Sequence, residues 1–274
     1  MSSFGLHPEM WLDQIVLRVR DLDAVLSYYR DVLGFEGTTE LSPSGGLFTL
    51  VLEHVPDAPL RPYPCVGMYH FALLVPDRPA LGAILRHLDE RNEPLEGMAD
   101  HLVSEALYLR DPEGNGIEVY RDRPEPDWPR RDGQVEMAAD PLDVDGILAE
   151  ARAATGLHPD TRFGHIHLHG RDLSSGERFF ADALGMTVTQ RNYRGALFFA
   201  AGDYHHHVAV NVWATRDGVP DGATGLVAYR LRLPSDGLTE LRAHLSANGT
   251  PYRDEPGAVT LTDPVGAEVT VAVA

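Results

Sequence analysis

Cysteine is nearly absent from this chain of 274 residues, which has a single one. Because one cysteine cannot form an internal disulfide, nothing points to an oxidising compartment, and we expect a cytoplasmic protein. Long apolar runs are missing too: no stretch of about 18 consecutive apolar residues occurs, which argues against a transmembrane helix. The first ten residues contain no basic segment followed by an apolar one, so we expect no signal peptide.

Basic residues are scarce relative to acidic ones, with 23 Lys and Arg against 41 Asp and Glu. The resulting net charge of -18 disfavours binding to nucleic acid or to anionic membranes. The hydrophobic fraction of 43% is enough for a substantial core, and 26 Gly and 20 Pro favour many turns between short strands. The chain also has 13 histidines, several of them in tight groups.

An internal repeat organises the chain. The segment 12–35, LDQIVLRVRDLDAVLSYYRDVLGF, aligns without a gap with the segment 163–186, FGHIHLHGRDLSSGERFFADALGM. Each copy begins with the alternation of a strand and continues with the spacing of a helix. Asp21 and Asp172 are the expected helix N-caps, and a glycine ends each helix.

A weaker repeat relates residues 69–120 to residues 226–274. Both segments read as a strand, a helix, a strand, an Asp-Pro-x-Gly turn and a final strand. The first repeat leaves only residues 36–54 for three strands after its helix, so we expect a truncated strand there. The chain thus divides into an N-terminal domain, 1–125, with modules at about 8–60 and 66–125, and a C-terminal domain, 161–274, with modules at about 161–214 and 224–274. A linker, 126–160, with a short helix at about 142–155, joins the two domains.

These four repeats of strand, helix and strands resemble the vicinal oxygen chelate superfamily, whose βαβββ units pair into cupped sheets around a metal. The resemblance implies an α+β fold of four βαβββ modules that form cupped mixed sheets. Because one fold can support many chemistries, the function has to be inferred from a site.

A motif in the second module resembles the signature of the extradiol ring-cleaving dioxygenases. The stretch HLVSEALYLRDPEGNGIEVY has His101, Tyr108 and Glu118 at the spacing of that signature's histidine, tyrosine and metal-binding glutamate. Ala99 departs from the signature, which has Gly, Asn, Thr or a branched aliphatic residue there. The resemblance implies that His101 is a general acid or base and that Tyr108 hydrogen-bonds the substrate. The alternative for Tyr108 is a strand residue that buries its ring.

Glu118 also stands out from its local sequence alone. It follows a tight turn, on a strand whose Ile117 and Val119 point to one side while Glu118 and Tyr120 point to the other. A single glutamate in this position would more often be a solvated strand residue. Its spacing within the motif instead favours a carboxylate that binds a cation.

Two histidines occupy the same repeat position. His70 and His165 each lie seven residues before an aspartate, Asp77 or Asp172, and the resemblance implies that they are metal ligands. A lone histidine on an apolar strand is more often a hydrogen-bonded core residue. Two of them at one repeat position, together with a carboxylate, favour ligation. The first module has Gln14 there, which is a poor iron ligand.

Modules one and four lack this ligand set, since the fourth has Thr270 where the second has Glu118. We therefore expect modules two and three to share the working cavity, although some dioxygenases of the family pair their modules in sequence order. Two imidazoles and one carboxylate leave coordination positions open, as in non-haem Fe(II) oxygenases. Fe(II) is favoured and Mn(II) is the alternative, whereas zinc has no accessible redox change.

Another polar group lies in the stretch 204–213, YHHHVAVNVW. If this stretch is a strand, His207 and Asn211 share one face, and we expect them to line the cavity and orient substrate or metal ligands. A hydrogen-bonded structural cluster is the alternative. His167 points the same way as His165 and would be the ligand if the register differed by two residues.

The resemblance covers nearly the whole chain and implies a type I extradiol dioxygenase, similar to catechol 2,3-dioxygenases, that cleaves a catechol-type aromatic with O2. We expect a homo-oligomer with no nucleic-acid or membrane partner. Two other functions stay open. A glyoxalase-like lyase or isomerase would use Gln14, His70 and Glu118 with Ni or Zn and would consume no oxygen. A metal-free module that sequesters a small molecule would contain no stoichiometric metal.

Overall fold

The computed structural model describes residues 4–43, 46–214 and 218–274. Along these residues the four modules follow one another in βαβββ order, as the repeats predict. Module one consists of β1 (Trp11–Val19), α1 (Leu22–Ser27), β2 (Glu36–Gly37), β3 (Glu40–Ser42) and β4 (Thr49–His54). Module two consists of β5 (Gly67–Leu74), α2 (Arg78–Glu90), β6 (Gly97–Asp100), β7 (Ser104–Arg110) and β8 (Gly116–Asp122). The two-residue β2 confirms the truncated strand expected in module one.

The second half of the chain repeats this order after a linker. The linker contains a 3-10 turn (Glu125–Asp127), β9 (Arg130–Arg131), β10 (Gln134–Val135) and α3 (Val144–Glu150). Module three consists of β11 (Arg162–His169), α4 (Leu173–Gly176), β12 (Thr187–Gln190), β13 (Ala196–Ala200) and β14 (Val208–Asn211). Module four consists of β15 (Gly225–Leu233), α5 (Ser235–Ala247), β16 (Arg253–Glu255), β17 (Ala258–Thr262) and β18 (Glu268–Val273).

Two eight-stranded sheets contain all the module strands. One sheet has the order β12-β13-β14-β11-β5-β8-β7-β6 and joins module three to module two through the antiparallel pair of β11 and β5. The other has the order β16-β17-β18-β15-β1-β4-β3-β2 and joins module four to module one. Modules two and three thus share a sheet, which is the pairing that the ligand positions favour. Each half of the chain contributes one module to each sheet, and the division into domains 1–125 and 161–274 stays a prediction from the sequence.

The helices of modules one and three begin and end as the repeat predicts. The side chains of Asp21 and Asp172 accept hydrogen bonds from backbone N–H groups in the first turn, which satisfies donors that have no partner within the helix. Both helices widen after their first turns into π-helical stretches, Tyr28–Val32 and Glu177–Ala183. Gly34 and Gly185 follow with φ values of 77° and 75°, a conformation that glycine adopts most easily.

The two faces of the central strands have different surroundings. Ile117 and Val119 of β8 belong to the main hydrophobic core, which also includes side chains from α1, α2 and α5. Tyr120, on the other face of β8, belongs to a separate small cluster with Ala72 and Ala106. This confirms that alternation along β8 sends Glu118 away from the main core. Among the described residues, no helix has both the length and the apolar character needed to cross a membrane.

The linker is packed against module two. Its helix α3 ends at Glu150, so it is shorter than the predicted helix at 142–155. The backbone turns to an extended conformation at Ala151, and the guanidinium of Arg86, on α2, donates to the carbonyls of Leu148 and Ala151. The carbonyl of Leu148 also accepts the backbone N–H of Ala151 at 3.3 Å, so the arginine adds to the cap at this helix end.

The Asp-Pro-x-Gly turn of module four contains a buried carboxylate. Oδ1 of Asp263 accepts hydrogen bonds from the backbone N–H groups of Val265 and Ala267, both at 2.9 Å. Oδ2 accepts from the hydroxyl of Tyr229 at 3.2 Å. Burial raises the pKa of Asp263 from 3.8 to about 6, because these hydrogen bonds offset the cost of removing the charge from water only in part.

The raised pKa of Asp263 predicts a pH-dependent stability. The folded state favours the neutral carboxyl, so the contribution of Asp263 is complete below about pH 4 and is lost as the pH rises through about 6. The substitution Asp263→Asn keeps the turn's acceptor and removes the charge. Its free energy of unfolding, relative to the unsubstituted protein, should therefore increase between pH 4 and pH 7 by a value on the order of 3 kcal/mol. Urea titrations of both proteins at several pH values measure this difference, and a constant difference would contradict the prediction.

Candidate metal centre and its cavity

Three ligand-type side chains converge on the inner face of the sheet shared by modules two and three. His70 lies on β5, Glu118 on the adjacent β8 and His165 on the neighbouring β11. Each of the three residues is less than 5% exposed. Their ligand atoms all lie within 4.8 Å of one another, and Oε2 of Glu118 is 2.9 Å from Nε2 of His70 and 3.1 Å from Nε2 of His165. The structure therefore brings together the three residues predicted as metal ligands.

The electrostatics of this group suit a cation. Burial raises the pKa of Glu118, but attraction to His165 and His70 outweighs it and holds the pKa well below its usual value. Burial lowers the pKa of His70 in spite of the neighbouring carboxylate. The carboxylate is thus ionised while the His70 imidazole tends to be neutral, which are the protonation states that metal ligands need.

The hydrogen bonds of the group are incomplete. Both ring nitrogens of His70 and Nδ1 of His165 are buried without a hydrogen-bond partner among the described residues. Nε2 of His70 is close to the Glu118 carboxylate, yet it is not aligned to donate to it. Because buried polar atoms are nearly always paired, a lone pair aimed at the same point as a carboxylate fits a missing cation. Two imidazoles and a carboxylate fit a divalent transition metal with open coordination positions.

His101 and Tyr108 lie beside this group, as predicted. Nδ1 of His101 is 2.5 Å from the carbonyl oxygen of Ala138, so this nitrogen holds the proton and donates. Nε2 lies 2.6 Å from the Tyr108 hydroxyl, and in the neutral ring it accepts the hydrogen bond of that hydroxyl. The rings of Tyr108 and His70 are 5.6 Å apart. Burial, followed by the charge of Glu118, raises the pKa of Tyr108 well above its usual value, so the phenol keeps its proton.

Asn211 lies behind the metal group rather than at the cavity surface. Its Nδ2 donates to Nε2 of His167 at 2.9 Å, and its Oδ1 accepts from Nδ1 of His169 at 2.7 Å. The same oxygen accepts the backbone N–H of Trp213, which fixes the orientation of the amide. Asn211 therefore orients the ring of His167, which lines the cavity. It was expected to line the cavity itself and to orient substrate or metal ligands, whereas its contact with the cavity is through His167.

His207 does not reach the cavity, so the prediction that it lines the site is wrong. It borders a separate groove near Pro8 and Trp11, and its Nδ1 accepts the backbone N–H of Ala201. The prediction assumed one strand from Tyr204 onward, but β14 begins only at Val208. Strand alternation therefore does not apply to the three histidines before it.

His206 is the residue of this stretch that lines the cavity, and the sequence argument missed it. Its ring is 4.2 Å from that of His165. Nδ1 of His206 lies 2.7 Å from Nδ1 of His205, whose Nε2 donates to the Asp122 carboxylate at 2.8 Å. Tyr204 also donates to Asp122, at 2.9 Å. The only signal in the sequence was the run of three histidines, which does not tell which one faces the metal group.

The cavity in front of the metal group has a volume of about 220 Å³. This is below the range of about 300–1,000 Å³ that is typical of drug-sized ligands, and it suits a single aromatic ring. Its polar wall consists of His70, His101, Tyr108, Glu118, His167 and His206. The other side chains of the wall are Tyr69, Ala99, Val103, Ser104, Met137, Ala139, Tyr193, Phe198 and Trp213. Met137 and Ala139 come from the linker, which the sequence did not predict to form part of the site.

Four βαβββ modules paired into cupped sheets, with two histidines and a glutamate on one inner face, define a protein of the vicinal oxygen chelate class. Residues 11–119 match the profile of the Glyoxalase/Bleomycin resistance protein/Dioxygenase superfamily. The chain is 39% identical to the catechol-2,3-dioxygenase of Bacillus subtilis (strain 168), an alignment that covers 98% of this chain and 99% of that protein. The chain belongs to this superfamily.

Solved structures agree in fold at low sequence identity. A Bacillus subtilis protein named provisionally as a dioxygenase superimposes with a TM-score of 0.63 at 14% identity, over 99% of this chain and 85% of its own. Glyoxalase I from Zea mays superimposes with a TM-score of 0.58, also at 14% identity, over 97% of this chain and 92% of its own. These two similarities concern the architecture alone.

Two substitutions distinguish His165 from His167 as the metal ligand. His165→Ala removes a converging imidazole, so its affinity for Fe(II) or Mn(II) should fall by more than the factor of about 10–100 that is typical of residues behind the ligands. His167→Ala is the matched control on the same strand, and it should retain one metal per chain. Anaerobic metal titration with elemental analysis measures both. Loss of metal in the His167→Ala protein alone would mean that the register differs by two residues.

Proposed function

We propose that this protein is a non-haem Fe(II)-dependent extradiol dioxygenase that cleaves a catechol-type aromatic ring with O2. The main observation behind the proposal is the group of His70, Glu118 and His165. His70 and Glu118 line a small cavity whose wall also includes His101 and Tyr108. The similarity to a catechol-2,3-dioxygenase along nearly the whole chain supports the same function. Neither the metal nor the ring substituents of the substrate follow from that similarity.

His70, Glu118 and His165 would hold the metal. Fe(II) would supply the redox chemistry that allows a catechol and dioxygen to react, and Mn(II) could replace it in the same ligand set. Zinc fits the donor atoms less well as a functional ion because it undergoes no redox change.

Two residues of the wall would handle the protons of the catechol. His101 has its Nδ1 proton held by the Ala138 carbonyl, so its Nε2 is the atom able to accept a proton. Tyr108 lies between this nitrogen and the metal group, and its raised pKa keeps its hydroxyl protonated. When a catechol binds, this hydroxyl would donate to a substrate oxygen instead of to His101, which would leave Nε2 of His101 available for a proton. His101 would act as the base when the catechol binds and as the acid when the ring opens.

The remaining wall would orient the ring and exclude water. Phe198, Trp213 and Tyr193 form an aromatic surface, with the rings of Tyr193 and Phe198 5.7 Å apart. Aromatic rings stack in offset or edge-to-face arrangements, so such a surface favours a planar substrate. His206 would present its ring to the same space from the side of His165.

The two other functions have less support. Gln14 lies on β1 in the sheet of modules one and four, whereas His70 and Glu118 lie in the other sheet, so the glyoxalase-like ligand set is divided between sheets. A metal-free binding protein would have no use for an ionised Glu118 buried between two histidines. The cytoplasmic location and the homo-oligomeric state stay predictions.

The test is activity after metal loading. Protein purified under nitrogen is loaded with Fe(II), mixed with catechol or 4-methylcatechol, and then exposed to air. Oxygen uptake equal to substrate loss and a yellow ring-opened product are expected. A protein that binds metal but consumes no oxygen would favour a lyase or isomerase, and one that binds no metal would favour a sequestering module.

Substitution of His101 tests its role as acid or base. His101→Ala should lower kcat by a factor of about 10²–10⁴, the range for loss of a general acid or base, while the protein still binds metal. His54→Ala, at an exposed residue in the sheet of modules one and four, is the matched control and should keep full activity. Steady-state kinetics and metal content measure the two effects. Normal turnover by His101→Ala would remove the assignment.

A further inference from the structure

The linker contributes a wall of the cavity. Met137 and Ala139 follow β10 and line the cavity, whereas Glu136 points outward and pairs with Arg131. Between the two lining residues, the carbonyl of Ala138 accepts the Nδ1 proton of His101. The same three-residue stretch therefore holds the expected base and forms part of the surface that a substrate would touch.

This wall is held at both ends. Before it, the side chain of Gln190 donates to the carbonyl of Val135 at 2.7 Å. After it, Asp140 and Asp100 exchange two backbone hydrogen bonds of 2.9 Å. A stretch anchored on both sides cannot move aside without breaking these hydrogen bonds, so the positions of Met137 and Ala139 limit the space available to a ligand.

Met137 occupies the joint between two apolar clusters. It packs against the cluster of Ala196 and Phe198 and also against the cluster of Trp128 and Val135. Because Met137 lines the cavity and fills space between both clusters, its truncation would enlarge the cavity. Ala139 lines the cavity and is itself exposed to solvent, so a larger side chain there would narrow the opening of the cavity.

The wall offers no cationic partner for an anion. Among the residues that the structure describes, no lysine or arginine lines the cavity, and its carboxylate is Glu118. A carboxylate on the substrate would lose its hydration there without gaining an ion pair from a side chain.

We propose that Met137 and Ala139 determine which ring substituents the cavity accepts, so that the protein takes uncharged catechols with a small apolar substituent and rejects catechols that carry a carboxylate. This inference rests on the proposed function, because it concerns the substrate of the same site. The linker between modules two and three would thus select the substrate.

Equilibrium binding tests the proposal without requiring turnover. Tryptophan fluorescence can report binding because Trp213 lines the cavity. The dissociation constants of catechol, 4-methylcatechol, 4-tert-butylcatechol and 3,4-dihydroxybenzoate are measured under nitrogen, with and without Fe(II). For the unsubstituted protein, 3,4-dihydroxybenzoate and 4-tert-butylcatechol should each bind at least about tenfold more weakly than catechol.

Two substitutions should change the selectivity in opposite directions. Met137→Ala should improve the binding of 4-tert-butylcatechol relative to catechol by about tenfold, as expected for a change of a few methylene groups in a pocket. Ala139→Leu should weaken 4-methylcatechol relative to catechol. Glu136→Gln is the matched control in the same stretch and should leave all ratios unchanged. Circular dichroism melting curves identify any variant that has not folded, and the other variant then decides.

The outcomes separate this proposal from the proposed function. Unchanged ratios in a folded Met137→Ala or Ala139→Leu protein would overturn the role of the linker, whether or not the ring is cleaved. Binding of 3,4-dihydroxybenzoate as tight as that of catechol would overturn the exclusion of anions. Absence of oxygen uptake with normal binding ratios would overturn the dioxygenase function and leave the selectivity supported.

Discussion

The antiparallel pairing of β5 with β11 is the constraint on which the rest of the site depends. It places His167 opposite His70 and sets His165 close enough to share the carboxylate of Glu118. A buried carboxylate is costly unless positive charge or hydrogen-bond donors surround it. Two imidazoles on neighbouring strands meet part of that requirement, and both ring nitrogens of His70 are buried without a hydrogen-bond partner among the described residues.

The site is built in layers from different parts of the chain. The three central strands carry the ligand-type residues, while the groups that orient the neighbouring rings come from other elements. Asn211, at the end of β14, holds His167, and the carbonyl of Ala138 in the linker holds His101. A hydrogen bond at one ring nitrogen of a histidine fixes the orientation of the ring and influences the tautomer. These contacts therefore determine which nitrogen of each ring faces the cavity.

The linker has two structural roles that local sequence would not suggest. It connects module two to module three, and it also forms part of the wall of the cavity on the sheet that these modules share. Its hydrogen bonds to Gln190 and Asp100 place Met137 and Ala139 against the aromatic residues of module three. The connection that joins the modules therefore also limits the volume of the cavity between them.

The sequence by itself determined the local features. Alternation and helical spacing identified the four modules, the caps at Asp21 and Asp172, and the two faces of β8, because these depend on residues only a few positions apart. The resemblance to the dioxygenase signature grouped His101, Tyr108 and Glu118, and the shared repeat position, read through the same resemblance, added His70 and His165.

Only the tertiary structure decided which modules share a sheet, which of the three neighbouring histidines faces the metal group, and what closes the cavity. His207 was expected there and His206 lies there instead, because the phase of alternation is defined only once the strand begins at Val208. The linker wall depends on hydrogen bonds between residues 55 positions apart, such as that of Gln190 to Val135. Contacts between residues so far apart produce no periodic pattern in the sequence, because the segment that joins the two residues can have many lengths and paths.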